Sequence, residues 1–178
     1  GRSFECHVNG QKVFARGANI VPADFFPVRA RDRIEETLQD AVSANMNMVR
    51  IWGGAVYGED LFYERCDELG LLVWQDFMFA CCMVPGDASF AASVEAEARY
   101  NVRRLRNHPS LALWCGNNES QKAWESWGWQ KQFGLSMQDS LEIQQAYDRI
   151  FGQLLPDIVE EESGQFYWAS SPMQDPLE

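Results

Sequence analysis

Histidine is scarce in this chain: His7 and His108 are the only two in 178 residues. A catalytic thiol wants an imidazole partner, and many zinc sites are built on imidazoles. His108 falls in the helix-stopping stretch Asn107-His108-Pro109 and His7 in a short hairpin, so neither is placed for that work. The five cysteines, Cys6, Cys66, Cys81, Cys82 and Cys115, are odd in number and lack metal-ligand spacing. Cys81 and Cys82 are adjacent, a poor arrangement for a disulfide. Three of the five lie in apolar stretches, where a small buried side chain is the ordinary role. Zinc chemistry and thiol chemistry are both disfavoured, and neither a metal nor a cofactor is expected.

Long hydrophobic runs are also missing. The longest, Phe77 to Val84, has 8 residues, against the ~18 that a membrane-spanning helix needs. Positive charge is in deficit, with 15 Lys and Arg against 26 Asp and Glu, a net charge of −11. That balance argues against binding nucleic acid or anionic lipid, which need basic patches. No glycine-rich phosphate fingerprint follows the first strand, which weighs against nucleotide binding. No internal repeat, linker or low-complexity tract divides the chain, and its length suits one domain with a sizeable core. No targeting segment is legible at Gly1. The compartment stays open, with a soluble parent, periplasmic, secreted or lysosomal, as the expectation.

What the chain does have is alternation. Phe4, Cys6 and Val8 alternate before the turn signal Asn9-Gly10, and Val13 to Arg16 return, which reads as a hairpin. Gly17 to Asp24 follows as a first core strand that breaks at Pro22. Asp32, with Glu35 three residues on, reads as a capping box, and Ile34, Leu38, Val42 and Met46 recur at helical spacing. Asn47 to Gly54 is an apolar strand, and Glu59 to Leu69 a helix that stops at Gly70. Leu71 to Phe77 is a third strand. A helix from Phe90 to Asn107 carries Val94, Ala98, Val102 and Leu105 on one stripe, and Pro109 stops it. Leu111 to Trp114 is a fourth strand. Ser120 to Met137 is an aromatic loop or short helix. Residues 140–161 form a helix with Leu141, Tyr147, Ile150, Leu154 and Ile158 on one face, and Gln165 to Ser171 reads as a fifth strand.

Strands alternating with helices imply a parallel sheet with right-handed crossovers. Two closures fit: an open doubly wound sheet, or a (β/α)₈ barrel. A whole barrel takes about 250 residues and eight strands, and this chain holds about five. Several strands end in polar residues: Arg50 with Trp52, Gln75 with Asp76, and Asn117-Asn118-Glu119. In parallel α/β folds the carboxyl ends of the strands are where ligands bind. Solvated loops would explain one such end, but not three. Seven tryptophans, 11 phenylalanines and 5 tyrosines exceed what a core requires, and tryptophans near polar strand ends hold the flat faces of ligands.

The motifs Phe14-Ala-Arg-Gly-Ala-Asn19, Arg50-Ile-Trp-Gly-Gly54, Trp74-Gln-Asp-Phe77 and Trp114-Cys-Gly-Asn-Asn-Glu119 together resemble the catalytic barrel of β-mannosidases of glycoside hydrolase family 2. An Asn-Glu pair after the fourth strand is shared with many retaining glycosidases; the Trp-Gly-Gly after the second points towards mannose. The resemblance implies a partial (β/α)₈ barrel, residues 1–178 being the N-terminal half of that catalytic domain. It implies release of mannose from the non-reducing end of β-mannosides by retaining hydrolysis in the parent, with a β-mannoside or oligosaccharide as substrate. It makes Glu119 the acid/base, which hands a proton to the leaving oxygen. Asn118 is then the ligand of the sugar 2-hydroxyl, and Trp52 and Trp127 are walls around the mannose. Asp76 orients substrate or supports Glu119, and Arg50 holds the carboxylates. Asn19 and Asp24 are weaker candidates, for which turn or cap duty suffices. The family's nucleophile, a glutamate after the seventh strand, has no counterpart here, so the isolated piece is expected to be inactive. It is also expected to self-associate through two open sheet edges near Ile20 and Tyr167, with Val49, Val73 and Leu113 on the exposed inward face. A non-catalytic carbohydrate-binding module, another retaining β-glycosidase of the same clan and an endo-acting β-mannosidase are the alternatives.

Overall fold

A computed structural model describes residues 4–173 of the chain. The hairpin forms from β1 (Cys6–Val8) and β2 (Gln11–Val13), paired antiparallel. Asn9 and Gly10 both take positive φ, 51° and 76°, the twist that a two-residue hairpin loop demands. Beyond it the chain alternates: β3 (Gly17–Ile20), α1 (Pro27–Arg31), α2 (Ile34–Ser43), β4 (Met48–Ile51), α3 (Asp60–Leu69), β5 (Leu72–Asp76), α4 (Ala88–Leu105) and β6 (Leu111–Cys115). Then come α5 (Ser120–Ser126), α6 (Trp129–Gln132), α7 (Met137–Arg149), a π-helical turn (Ile150–Leu154), α8 (Leu155–Glu162) and β7 (Tyr167–Trp168). The five strands β3 to β7 form one parallel sheet in chain order. Among the described residues no strand is inserted out of order, so the sheet has no reversal of the doubly wound kind.

The two faces of the sheet separate by the period-two rule. Val49, Ile51, Val73, Leu111 and Trp114 face the helices and join Leu38, Phe62, Val102, Leu105, Phe151, Leu155 and Ile158 in the core. Met48, Arg50, Trp74 and Asp76 alternate with them onto the other face. A register shift after Val73 sets Leu113 beside Trp74 and Cys115 beside Asp76, keeping the third and fourth strand ends aligned. The hairpin folds onto this second face: the Phe4 ring lies 5.8 Å from Trp74 and 5.0 Å from Trp168.

Several expectations are corrected. Val49 and Val73 do not sit on the inward face; they lie under the helices, 1% and 0% exposed, and Leu113, though outside that cluster, is also buried at 3%. Asp32 does not open a helix but ends α1. Arg33 is the N-cap of α2 and, having no acceptor, makes no side-chain cap; Glu35 pairs instead with Arg65 across two hydrogen bonds of 2.6 Å. Val42 and Leu141 face solvent; Ala41 and Ala146 take the buried places. The stretch from Met137 to Glu162 stays helical through Pro156, since the widened π turn just ahead accommodates its missing N–H. The fifth strand shrinks to two residues.

Candidate active site

The carboxyl ends of β4, β5 and β6 deliver a connected set of polar side chains. Arg50 comes from β4 and Asp76 from the last position of β5. Their guanidinium–carboxylate pairing is bidentate, Nε to Oδ1 at 3.1 Å and Nη2 to Oδ2 at 2.7 Å. Asp76 also accepts from the indole Nε1 of Trp74 at 2.9 Å and from the backbone N–H of Gly53 at 2.9 Å. Four donors thus engage a carboxylate with 0% exposure, and Asp76 is a fixed anchor with no free face. Arg50 spends the same Nη2 on Asn118, donating to Oδ1 at 3.0 Å, and its guanidinium carbon sits 5.4 Å from the Trp74 ring centre. Asn118, its oxygen held by Arg50, turns its amide nitrogen to Glu119 Oε2 at 3.2 Å. A single relay therefore runs from Asp76 through Arg50 and Asn118 to Glu119.

Backbone contacts fix that relay. The Asn118 N–H donates to the Phe79 carbonyl at 2.9 Å, and its own carbonyl receives the Cys81 N–H at 2.8 Å. The Glu119 N–H reaches the Ser171 carbonyl at 3.0 Å. Glu119 caps α5 with φ 60°, a left-handed conformation that a non-glycine residue adopts only when its surroundings impose it, at a cost of about 1–3 kcal/mol. Loops from two neighbouring strands hold it there. Its side chain is half-buried, able to meet both protein and solvent.

Asn117 turns away from this cluster. It donates to Tyr147 Oη and the Ala169 carbonyl and accepts from the Ser120 N–H and Ser170 hydroxyl, a fully buried clasp between β6, α5 and the β7 loop. Gln75 likewise faces the helices, accepting from Tyr63 Oη at 2.6 Å. Asp24 accepts from the Phe26 N–H in its own turn. Asn19 lies exposed on β3 beside Arg50.

Trp52 packs flat over the following loop. A Cβ added to Gly54 would lie 2.2 Å from its ring, and one added to Gly53 would meet the Phe79 carbonyl oxygen at 2.5 Å. Both glycines are therefore required, one by the indole and one by the neighbouring loop. Trp127, 46% exposed, meets Trp129 edge-on at 5.9 Å. Of the six candidates, Arg50, Asp76, Asn118 and Glu119 are joined by hydrogen bonds; the two indoles pack on other partners.

Two participants escaped the reading of the sequence. Trp74 left a usable signal, because it stands two residues before Asp76 and strand alternation puts both on one face. Cys81 was not. It arrives through a loop, φ 50°, and directs its thiol to Glu119 Oε2 at 3.4 Å. Partial burial pushes this thiol above its ordinary range, and the Glu119 carboxylate adds to the effect. All five cysteines are free. Among the described residues no helix is long and apolar enough to cross a membrane.

A parallel sheet that gathers polar side chains at the carboxyl ends of its strands is the architecture on which α/β enzymes carry their ligand sites. The chain is related to β-mannosidases. It is 49% identical over 124 residues to the β-mannosidase of Capra hircus, an overlap covering 69% of this chain and 14% of that protein. It is 41% identical over 178 residues to β-mannosidase B of Aspergillus clavatus, covering 98% of this chain and 21% of the relative. The crystal structure of the β-D-mannosidase from Dictyoglomus thermophilum superposes with a TM-score of 0.85 at 41% identity, over 98% of this chain and 20% of that one. A Bacteroides uniformis β-glucuronidase, at 20% identity, shares the fold with a TM-score of 0.73. No protein-family model matches the chain. The chain thus spans about a fifth or less of the length of these relatives.

Proposed function

We propose that this chain is the N-terminal part of the (β/α)₈ catalytic domain of a retaining β-mannosidase of glycoside hydrolase family 2, and that Glu119 is the acid/base. The observation that carries the reading is the relay Asp76–Arg50–Asn118–Glu119, built at the carboxyl ends of three adjacent parallel strands. The strands run in chain order, as successive strands of a barrel do. In the first step Glu119 gives its proton to the glycosidic oxygen. A second carboxylate, supplied by parent sequence outside this chain, attacks the anomeric carbon as that C–O bond breaks and the aglycone leaves as an alcohol. In the second step Glu119 takes a proton from water, which attacks the same carbon and frees the carboxylate. Asn118, aimed by Arg50, holds the sugar 2-hydroxyl, a contact that strengthens in the transition state. Trp52 and Trp127 offer flat apolar surface to the mannose. The 178 residues alone hold one of the two carboxyl groups and are inactive.

The test is Glu119→Gln in the full-length parent. Turnover of alkyl β-mannosides, whose leaving groups need a proton, falls about 10²–10⁴-fold, the usual contribution of general acid catalysis. Dinitrophenyl mannosides, which need little protonation, keep their first step, and azide restores the second. A Gln variant that turns over an alkyl mannoside at the wild-type rate refutes the assignment.

A further inference from the structure

Cys81 plays no part in the relay from Asp76, yet it touches the same carboxylate. Its Sγ lies 3.4 Å from Glu119 Oε2 and 3.8 Å from the Asn118 amide nitrogen. Two donors from different strand ends, a thiol and an amide, therefore converge on one oxygen of Glu119. Glu119 Oε1 is thereby left as the oxygen to carry the transferable proton. The loop that brings Cys81 is tied to the strand end it serves: its N–H donates to the Asn118 carbonyl, and the next N–H, of Cys82, reaches the Ser120 hydroxyl at 3.3 Å. Its backbone is held at φ 50°, where a side chain is adopted only under constraint. The side chain is exposed on its outer side, so burial alone gives no reason for a cysteine at this position.

We propose that Cys81 is a positioning residue for the acid/base: its neutral S–H group donates to Glu119 Oε2 and, with Asn118, fixes the rotamer from which Oε1 protonates the glycosidic oxygen. The inference rests on the reading of Glu119 given above. It requires the thiol to stay protonated, because a thiolate beside a carboxylate would repel it rather than hold it. Partial burial and the neighbouring carboxylate both raise this thiol, so at neutral pH it is a donor and a poor nucleophile. The other charged groups of the relay, Arg50 and Asp76, pair with each other and leave Cys81 to the glutamate. A hydroxyl can do the same work, and a methyl group cannot.

The experiment uses the full-length parent with Cys81→Ala, Cys81→Gly and Cys81→Ser, assayed on an alkyl β-mannoside and on dinitrophenyl β-mannoside. Ala and Gly lower kcat on the alkyl substrate about tenfold, a weak hydrogen bond to a charged group read through the barrier. They leave KM, and the rate on the dinitrophenyl substrate, within about twofold. Ser restores the alkyl rate. Glycine suits the left-handed backbone better than any other residue, so a loss in Cys81→Gly is not a folding defect, and an unchanged melting temperature confirms it. Equal losses on both substrates, no loss on either, or Ser behaving like Ala overturns the proposal. Glu119→Gln assayed alongside separates the two readings: if it keeps the wild-type alkyl rate, Glu119 is not the acid. If it fails as expected while Cys81→Ala does not, only the role of Cys81 falls.

Discussion

Arg50→Met is the most informative single change, because it breaks the relay while keeping an unbranched apolar stem in place of the guanidinium. Arg50 is 16% exposed and Asp76 fully buried. Removing the guanidinium takes two of the four donors from Asp76 and, among the described residues, the one donor to Asn118 Oδ1. An uncompensated charge left in such a place costs about 3–5 kcal/mol. The Trp74 indole and the Gly53 N–H remain on Asp76, which holds the penalty to the lower end, about 3 kcal/mol, and the orphaned amide oxygen adds about 1 kcal/mol. A loss of about 4 kcal/mol is roughly a quarter or more of the stability of an ordinary domain, about 5–15 kcal/mol. The measurement is urea unfolding of the chain, followed by circular dichroism, with Asp76→Asn added in the same background. The neutral amide removes the stranded charge, so the double variant recovers about 2 kcal/mol and the pair is strongly non-additive. A loss under about 1 kcal/mol from Arg50→Met would show the pair behaving as a solvent-screened surface contact. An additive further loss in the double variant would refute the stranded-charge argument.

Trp127→Ala in the parent lowers kcat/KM for β-mannosides and barely moves the melting temperature, since nearly half of its surface is already exposed; unchanged kinetics with lost stability would make it a packing residue. Trp52→Ala behaves likewise but with some loss of stability, because its ring covers Gly54. Glu162, on which Arg103 and then Arg99 converge, is held down to about 2 from 4.5. A depressed folded value means that its contribution is present above 4.5 and is lost as the pH falls towards 2. Glu162→Gln is therefore less stable than wild type at neutral pH, and the gap in urea midpoint closes through that window; a gap that persists down to pH 2 contradicts the reading. The isolated chain elutes on size exclusion with light scattering as a dimer or larger, since β3 and β7 are edge strands. A monodisperse monomer at micromolar concentration would show that those edges are covered in some other way.

The sequence by itself determined the alternation of strands and helices and most of the buried helix positions, Val42 and Leu141 being the exceptions. Val94, Ala98, Val102 and Leu105 were legible at helical spacing, and all are in the core. The same holds for local devices whose physics is confined to a few residues, such as the Asn9-Gly10 turn and the Gly70 cap at φ 70°. The motifs also disclosed the kinship with β-mannosidases, and they placed Arg50, Asp76, Asn118 and Glu119 at strand ends. What the sequence could not show is which of these side chains turn towards one another. Asn117 and Asn118 are the same residue type one position apart, yet one clasps β7 and α5 while the other meets Glu119. That outcome depends on strand register, including the shift after Val73, and register is set by sheet packing rather than by local propensity. The fate of Val49 and Val73, hidden under helices rather than facing inward, follows from the same one-residue parity. Cys81 was beyond reach for a further reason. Its contact with Glu119 spans 38 positions in the chain, and it exists only because a loop in left-handed conformation, tied to Asn118, carries the thiol across the strand ends.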